Sequence, residues 1–355
     1  MYRNTYVEVN LENLKYNVQK LIEKYKDYKY YFGVVKADCY GHNNIRAVKT
    51  ILDAGCNYLV VATLDEALEI RKEITDVPIL CLGIIEVKYL NICIKNNITI
   101  TINNLDYLSK INFNNNSLKV HIKINTGMNR LGVNNKQEFN TMYNIIKEKF
   151  YLEGVYTHIY NPCDNEATLK QWNRFEEITS DIDLNSISIV YVGASEATEY
   201  FEKREYANGC RLGISMYGLI DYKDIDFRST FSLYSEVIQI NTVIDETVGY
   251  NGNYKVNGTE KIAVVAIGYA DGIIRKNTGR YVYINDKPYK IVGNICMDML
   301  FVKADDTVKV GDKVAIIKDI KHIKEIANHL DTITYEVICS IGKRVPRVYV
   351  DKNIL

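Results

Sequence analysis

Lys36 stands at the end of an apolar run, Tyr30 to Val35, and before the polar sequence Ala-Asp-Cys-Tyr-Gly-His. The run is typical of a buried strand, so its last residue carries an amine out of the core. A buried amine is costly unless it has a partner or a chemical role. One such role is a Schiff base with a carbonyl group, such as that of pyridoxal phosphate, which requires a rigid and partly desolvated amine. The alternative for Lys36 alone is a lysine that extends from the strand into water.

Further residues that can bind anions or move protons accompany later apolar runs. They are Lys123, Arg130, His158, Ser195 and Arg211. Each alone has an ordinary explanation, such as an N-cap for a serine or a satisfied core position for a histidine. Their shared placement near the ends of such runs is harder to explain without a common site.

Two periodicities alternate over the first two-thirds of the chain. Short apolar runs predict strands at residues 30–35, 58–62, 79–82, 98–102, 118–124, 154–157, 187–192 and, more weakly, 210–212. Amphipathic stretches between them predict helices, among them residues 44–54, 64–74, 136–149 and 168–182. Eight such units in about 185 residues favour a (β/α)8 TIM-type barrel over an open sheet. Because barrel active sites lie at the carboxyl ends of the strands, the polar residues above should meet at one rim.

A mainly β domain follows the barrel. Strands are predicted at residues 231–243, 261–267, 280–284, 290–295, 300–302, 313–317 and 344–350, and only residues 322–330 look helical. The chain therefore divides into a barrel over residues 1–225 and a β domain over residues 226–355. The run Thr5–Val9 precedes the first barrel helix and could join the β domain instead.

Composition excludes several classes of function. Lys+Arg and Asp+Glu both number 44, which argues against a broad surface for nucleic acid or anionic membrane. No apolar run approaches the roughly 20 residues that span a bilayer, and the first residues lack a signal-peptide core. The eight cysteines show neither zinc-ligand spacing nor a disulfide framework. We therefore expect a cytoplasmic protein without a bound metal.

The chain resembles the alanine racemases, which are fold-type III pyridoxal phosphate enzymes. The resemblance extends over nearly the whole chain and depends on the order and spacing of several motifs. They are Val34-Val-Lys-Ala-Asp-Cys-Tyr-Gly-His42, Lys123-Ile-Asn-Thr-Gly-Met-Asn-Arg-Leu-Gly132, Tyr156-Thr-His158, Arg211-Leu-Gly-Ile214, Val248-Gly-Tyr250, Gly268-Tyr-Ala-Asp-Gly272, Gly293-Asn-Ile-Cys-Met-Asp298 and Arg344-Val-Pro-Arg347.

The resemblance implies an enzyme that interconverts L- and D-alanine and supplies D-alanine for the cell wall. Lys36 would hold pyridoxal 5′-phosphate and act as one acid/base group, and Tyr250 would act on the opposite face of Cα. His158, supported by Arg211, would favour the tyrosine anion. The family resemblance also implies a head-to-tail homodimer, in which the β domain serves the cofactor of the other subunit.

Roles for other residues follow from the same resemblance. The phosphate would contact Tyr40, Ser195, Gly213, Ile214 and, at the position of a family tyrosine, Lys343. Arg211 would face the pyridine nitrogen, where many other pyridoxal enzymes place a carboxylate. The substrate would contact Arg130, Tyr269, Met297 and Asp298, and Lys123 matches a lysine that is carbamylated in some members.

Departures from the family pattern leave alternatives open. Lys343 replaces a tyrosine, and Asn125 and Asn129 replace a common Asp and Gly. These changes allow serine as the substrate in place of alanine. A pyridoxal phosphate-dependent decarboxylase is disfavoured because it would place an acidic residue where Arg211 stands. A non-catalytic pyridoxal phosphate binder is disfavoured because it would lack the β domain.

Overall fold

The computed structural model describes residues 2–200 and 202–351. The start of the first predicted domain, residue 1, and the end of the second, residues 352–355, lie outside the described residues. The strands are β1 Tyr6–Asn10, β2 Tyr30–Val34, β3 Tyr58–Val61, β4 Ile79–Cys81, β5 Ile98–Ile102, β6 Lys119–Lys123, β7 Tyr151–Tyr156, β8 Ile189–Tyr191, β9 Gly209–Leu212, β10 Phe231–Ile244, β11 Thr247–Val248, β12 Tyr254–Lys255, β13 Thr259–Val265, β14 Tyr281–Ile284, β15 Lys287–Val292, β16 Leu300–Ala304, β17 Lys313–Ile317 and β18 Arg347–Val350.

The helices alternate with the first nine strands and then become rare. They are α1 Leu11–Lys24, α2 Lys36–Tyr40, α3 Asn44–Asp53, α4 Leu64–Arg71, α5 Leu90–Lys95, α6 Leu105–Ser109, α7 Lys136–Lys149, α8 Asn165–Thr179, α9 Ser195–Tyr200, α10 Ile320–Leu330 and α11 Thr334–Cys339. Within residues 2–200 and 202–351, no helix is both long and apolar enough to cross a bilayer.

The first sheet is a closed parallel barrel. Its strand order is β8-β7-β6-β5-β4-β3-β2-β9, and each of these neighbouring pairs is parallel. A parallel bridge between Ala194 and Arg211 joins the two ends of that order. The prediction of a (β/α)8 barrel followed by a mainly β domain is therefore confirmed. Thr63 caps α4 and forms a capping box with Glu66.

The second sheet gathers the strands of the β domain and one strand from the amino terminus. Its order is β13-β16-β15-β14-β17-β10-β1-β18, with a further pairing between β13 and β10. Strand β1 is antiparallel to β10 and parallel to β18, so residues 6–10 belong to this sheet and not to the barrel. The chain thus enters the β domain first, forms the barrel, and then returns.

Within the described part of the β domain, residues 226–351, two α-helices are present, so the prediction that only residues 322–330 are helical is wrong. Helix α11 is six residues long and contains Thr334, Val337 and Ile338, whose branched Cβ atoms favour strands. Tertiary contacts overcome that preference because α11 packs against both α10 and α2, and Val337 and Ile338 are buried there.

A buried amide connects the first barrel helix to the segment that leads into the β domain. The side chain of Asn17, on α1, donates to the carbonyl oxygens of Met216 at 3.2 Å and Arg228 at 2.9 Å. Its own oxygen accepts from the backbone nitrogen of Arg228 at 2.9 Å. Asn17 and Met216 are both fully buried, so water cannot replace the bond between the amide and the Met216 carbonyl oxygen.

The substitution Asn17→Ala should therefore lower the free energy of unfolding by about 2–3 kcal/mol, because it leaves buried backbone groups without partners. Urea unfolding followed by circular dichroism measures the change. Gln19→Ala, an exposed change on the same helix, is the matched control and should have little effect. Equal losses for the two variants would contradict the role given to Asn17.

Candidate active site

A cavity of about 650 Å³ opens at the carboxyl ends of the barrel strands, and its volume is typical of a small-molecule site. It brings together many of the residues singled out from the sequence. Those that line it are Lys36, Tyr40, Arg130, His158, Ser195, Arg211, Gly213 and Ile214. Helix α11 of the β domain closes one side through Tyr335, Glu336 and Cys339. The site is therefore built from both domains of one chain.

The residues after Lys36 form a left-handed turn, not an ordinary helix. Ala37, Asp38, Cys39 and Tyr40 all have φ between 51° and 60°. The turn keeps i→i−4 hydrogen bonds, from Cys39 to Val35 at 3.1 Å and from Gly41 to Ala37 at 3.0 Å. Side chains rarely adopt this conformation because Cβ approaches the following carbonyl oxygen. Strain of this kind is typical of functional sites.

Contacts from three directions hold the turn in place. Glu66, the capping-box residue of α4, accepts from the backbone nitrogen of Ala37 at 2.7 Å. His42 Nδ1 lies 2.9 Å from the carbonyl oxygen of Cys39, and its Nε2 lies 2.8 Å from Thr230 Oγ1. Burial lowers the pKa of His42 to about 4, so the ring is neutral at neutral pH. From the β domain, Arg347 Nε donates to the carbonyl oxygen of Gly41 at 3.0 Å.

Positive charge is concentrated around the cavity. Burial lowers the pKa of Lys36, and the charge of Arg130 lowers it further. Burial followed by the charges of Arg211 and Arg130 lowers the pKa of Lys123 well below its ordinary value. Such an excess of cations favours anionic ligands, and it keeps amines closer to the neutral form that is nucleophilic.

Arg211 and His158 form a hydrogen-bonded pair in the cavity that Lys36 also lines. Arg211 is buried on β9, and its NH2 donates to His158 Nδ1 at 3.1 Å and to the carbonyl oxygen of Thr157 at 2.8 Å. Burial, followed by the charge of Arg211, lowers the pKa of His158 well below its ordinary value. His158 is therefore neutral, and because Nδ1 accepts from Arg211 its proton resides on Nε2.

Hydroxyl and backbone groups surround a small space at the end of the last strands. The nitrogen of Gly213 donates to Ser195 Oγ at 3.1 Å, and Ser215 Oγ donates to the same atom at 3.0 Å. A Cβ atom built on Gly213 would lie 3.5 Å from Ser195 Oγ and 3.6 Å from the Tyr40 hydroxyl. Burial raises the pKa of Tyr40, so its hydroxyl remains a donor. This set of donors fits an anionic oxygen group.

The loop from Lys123 to Arg130 explains two of the unusual residues. Asn129 has φ 56°, a left-handed conformation that asparagine tolerates almost as glycine does. Asn125 Oδ1 accepts from the nitrogens of Gly127 at 3.1 Å and Asn129 at 3.0 Å, so the amide holds the loop. The buried Lys123 amine donates to the carbonyl oxygen of Ile124 at 3.0 Å. Lys123 lies beneath the cavity and not in its lining.

The remaining sequence-predicted residues do not reach this cavity within the chain. Tyr250 is 68% exposed and Met297 is 53% exposed on the β domain. The backbone nitrogen of Tyr269 donates to the carbonyl oxygen of Cys296 at 3.0 Å, which places Tyr269 near Met297. Asp298 accepts from Arg344 NH2 at 2.7 Å. Asn294, two residues before Cys296, donates from its amide to the carbonyl oxygen of Tyr250 at 2.8 Å, so these residues form a second, exposed cluster.

Two family models match the chain: Alanine racemase, N-terminal domain, over residues 9–221, and Alanine racemase, C-terminal domain, over residues 230–349. The chain is 37% identical to the alanine racemase of Halalkalibacterium halodurans, over 98% of this chain and 95% of that protein. It is 34% identical to alanine racemase 1 of Bacillus subtilis, over 99% of this chain and 94% of that protein.

The chain belongs to the alanine racemase family.

A crystal structure of alanine racemase from Bacillus anthracis with bound L-Ala-P has the same fold, with a TM-score of 0.92 and 32% identity over 99% of this chain and 96% of that one. Membership of the alanine racemase family makes the protein a pyridoxal 5′-phosphate-dependent isomerase. The residues present fit that cofactor, because a buried amine, a cluster of cations and a hydroxyl-lined space for an anion meet in one cavity.

Lys343, which stands where the alanine racemase family has a tyrosine, is not brought to this cavity. Its side chain is exposed in an adjacent groove that is also lined by Asp65, Glu66 and Glu69. A carboxylate-rich groove attracts an ammonium group away from the cationic cavity. His42 and Arg347 belong to the quoted motifs, but their contacts with the Lys36 turn could not be predicted from the sequence. Glu66 was not singled out, although the Thr-x-x-Glu capping box was a visible signal for it.

The substitution Gly41→Ala should weaken cofactor binding by at least about tenfold, because Gly41 has φ 80° and a Cβ there would lie 2.6 Å from the carbonyl oxygen of Ile338. Titration of the apoprotein with pyridoxal phosphate, followed by absorbance, gives the dissociation constant. Gly258→Ala is the matched control, since Gly258 has φ 77° but no atom within 4 Å of a built Cβ. A similar affinity for both variants would show that the clash does not displace the Lys36 turn.

Proposed function

We propose that this protein interconverts L- and D-alanine and so supplies D-alanine for the cell wall. The observation that carries the proposal is the buried Arg211–His158 pair beside Lys36, in a chain that matches alanine racemases over nearly its full length. A guanidinium at this position disfavours a decarboxylase, for which a carboxylate is expected there. The exposed β-domain cluster disfavours a protein that only binds the cofactor.

Pyridoxal phosphate, when bound, supplies the electron sink that makes the Cα proton of an attached amino acid acidic. Lys36 would hold the cofactor, and its amine would take or return the Cα proton on one face. Its pKa, lowered first by burial and then by Arg130, brings the amine toward the range required of a general base near neutral pH. Tyr40, Ser195, Gly213 and Ile214 would hold the phosphate, without Lys343.

Tyr250 of the second subunit would act on the opposite face of Cα. An ordinary tyrosine titrates near pH 10, so the phenolate needs a stabilising donor. The neutral His158 can donate from Nε2, since its Nδ1 is occupied by Arg211. The positive charge of Arg211 polarises the imidazole, and the polarised imidazole stabilises the phenolate. His158 can do this without becoming protonated itself.

Arg211 would also face the pyridine nitrogen of the cofactor. A guanidinium keeps its protons in proteins, so it cannot protonate that nitrogen. The ring then withdraws electrons less strongly, which favours prompt return of the Cα proton over side reactions. Arg130, at the mouth of the cavity, and the backbone nitrogen of Met297 would bind the substrate carboxylate, with Asp298 and Tyr269 beside it.

The low pKa of the buried Lys123 supports carbamylation at that position, because only a neutral amine combines with carbon dioxide. The product carries a negative charge between Arg211 and Arg130, whose charges depress the pKa of the free amine. Carbamylated Lys123 would thus orient Arg130 toward the substrate.

A head-to-tail homodimer accounts for the separation of the two clusters. Tyr250, Tyr269 and Met297 are exposed on the β domain, away from the cavity of their own chain. An exposed group of large apolar side chains is typical of an interface, and a two-fold dimer is the commonest assembly. We also propose that the domains divide near residue 225, with residues 6–10 in the β domain.

A chiral assay tests the substrate. The protein loaded with pyridoxal phosphate should racemise L-alanine with a kcat/KM about 10- to 100-fold above that for L-serine, since a small apolar pocket discriminates weakly against a hydroxyl. Lys36→Ala should be colourless and inactive. Faster turnover of serine would make the enzyme a serine racemase, and carbon dioxide release without racemisation would make it a decarboxylase.

Mixed dimers test the shared active site. Lys36→Ala and Tyr250→Phe should each be nearly inactive alone. If the chains are mixed under conditions that exchange subunits, about one quarter of wild-type activity should return, because half of the dimers then carry one intact site. Two Lys36→Ala preparations mixed in the same way are the control. Failure to recover activity, despite proven subunit exchange, would place Lys36 and Tyr250 in the same chain's site.

A further inference from the structure

A chain of buried polar and aromatic side chains runs down the interior of the barrel from the active site. We call it the axial column; its members are Arg211, Tyr156, Tyr191, His121 and Glu153, from strands β9, β7, β8 and β6. Barrel interiors are usually filled by branched aliphatic residues. The column therefore replaces apolar packing with groups that are costly to bury unless each has a partner.

The upper part of the column is a stack of rings beneath Arg211. The rings of Tyr156 and Tyr191 are parallel within 9°, with centroids 4.8 Å apart. The Arg211 guanidinium lies 5.6 Å from the first centroid and 5.3 Å from the second. Among the residues that the structure describes, Arg211 forms no ion pair, so the ring faces and carbonyl oxygens supply its electrostatic partners.

The middle of the column fixes the position of that stack. His121 Nδ1 lies 2.9 Å from the hydroxyl of Tyr191, and its Nε2 lies 3.1 Å from a carboxylate oxygen of Glu153. The imidazole is fully buried. It occupies the space beside Gly154, where any Cβ would lie 2.8 Å from the ring. The Tyr191 hydroxyl is thus bonded to a buried imidazole that is itself closely packed.

The lower part anchors His121 through a charged carboxylate. Glu153 accepts hydrogen bonds from Tyr58 at 2.5 Å and from Thr99 at 3.1 Å. Burial raises its pKa, but the hydrogen bonds from His121 and Tyr58 and the charge of Lys119 outweigh that effect and lower the pKa to about 2. Lys119 lies 3.8 Å away at the barrel's opposite end. Glu153 is therefore ionised and rigidly held.

We propose that Glu153 and His121 are positioning residues for the reaction: by fixing Tyr191, they hold the Arg211 guanidinium in the orientation that leaves the cofactor's ring nitrogen unprotonated. This inference rests on the proposed role of Arg211. Neither positioning residue touches the cavity, so the effect is transmitted through the aromatic stack. The positioning of Arg211 favours racemisation over a side reaction. In that side reaction the amino group passes to the cofactor and a 2-oxo acid is released.

The test compares Tyr191→Phe and Glu153→Gln with the wild-type holoenzyme. Tyr191→Phe keeps the ring stack and removes only the hydroxyl bonded to His121, while Glu153→Gln keeps the shape and removes the charge. Both should give the bound cofactor an absorption band that changes with pH across the neutral range, where the wild-type band is constant. Both should also raise the ratio of 2-oxo acid release to racemisation by about tenfold, the effect of losing one hydrogen bond to a charged network.

Ile122→Val is the matched control, because Ile122 follows His121 on the same strand but its side chain faces the opposite side of the sheet. A general loss of packing would affect this variant equally. If the spectra and product ratios of Tyr191→Phe match those of Ile122→Val and the wild type, the positioning role is overturned. Tyr191→Phe alone decides the matter if Glu153→Gln does not fold.

The outcome is separable from the proposed function. The absorption measurement needs only a bound cofactor. If the wild type fails to racemise alanine but the variants show the predicted spectral differences from it, the proposed function is refuted and the positioning role is supported. A wild type that racemises alanine, with variants whose spectra and product ratios are unchanged, would refute the positioning role alone.

Discussion

The left-handed turn from Ala37 to Tyr40 is the constraint on which the active site depends. Each L-residue in that conformation costs about 1–2 kcal/mol, and four stand in succession. Hydrogen bonds from outside the turn hold its backbone in this conformation. They come from Glu66 on helix α4, from the buried His42 and from Arg347 of the β domain. The position of Lys36 therefore depends on contacts from both domains.

A second constraint is electrostatic. Lys36, Lys123 and Arg211 approach one another in a poorly hydrated region, and within the described ranges none of them forms an ion pair with a carboxylate. Burial, followed by the charges of neighbouring cations, lowers the pKa values of Lys36 and Lys123, and the same two causes keep His158 neutral. An anionic ligand that enters this region offsets the repulsion between the buried cations. Its binding therefore also raises the free energy of unfolding. The same field selects for substrates with a carboxylate.

Much of this arrangement is predictable from the sequence, because in a parallel barrel the order of the strands along the chain determines where their ends lie. Residues at strand ends meet at one rim, so Lys36, His158 and Arg211 could be grouped before any coordinates. The left-handed turn could not be predicted, since alanine, cysteine and tyrosine do not favour it. The short α11 was missed for a related reason: distant packing, not local periodicity, makes it helical.

Lys343 and the axial column show two further limits on what sequence motifs can predict about side-chain positions. Aligning Lys343 with a tyrosine assumes a shared direction of the side chain, yet neighbouring carboxylates draw the ammonium into another groove. The column is invisible for the opposite reason, because His121 and Glu153 look like ordinary strand residues until β6 and β7 are paired. The column also explains how the Arg211 guanidinium can be buried without a carboxylate beside it: ring faces, carbonyl dipoles and the acceptor nitrogen of His158 stabilise the charge.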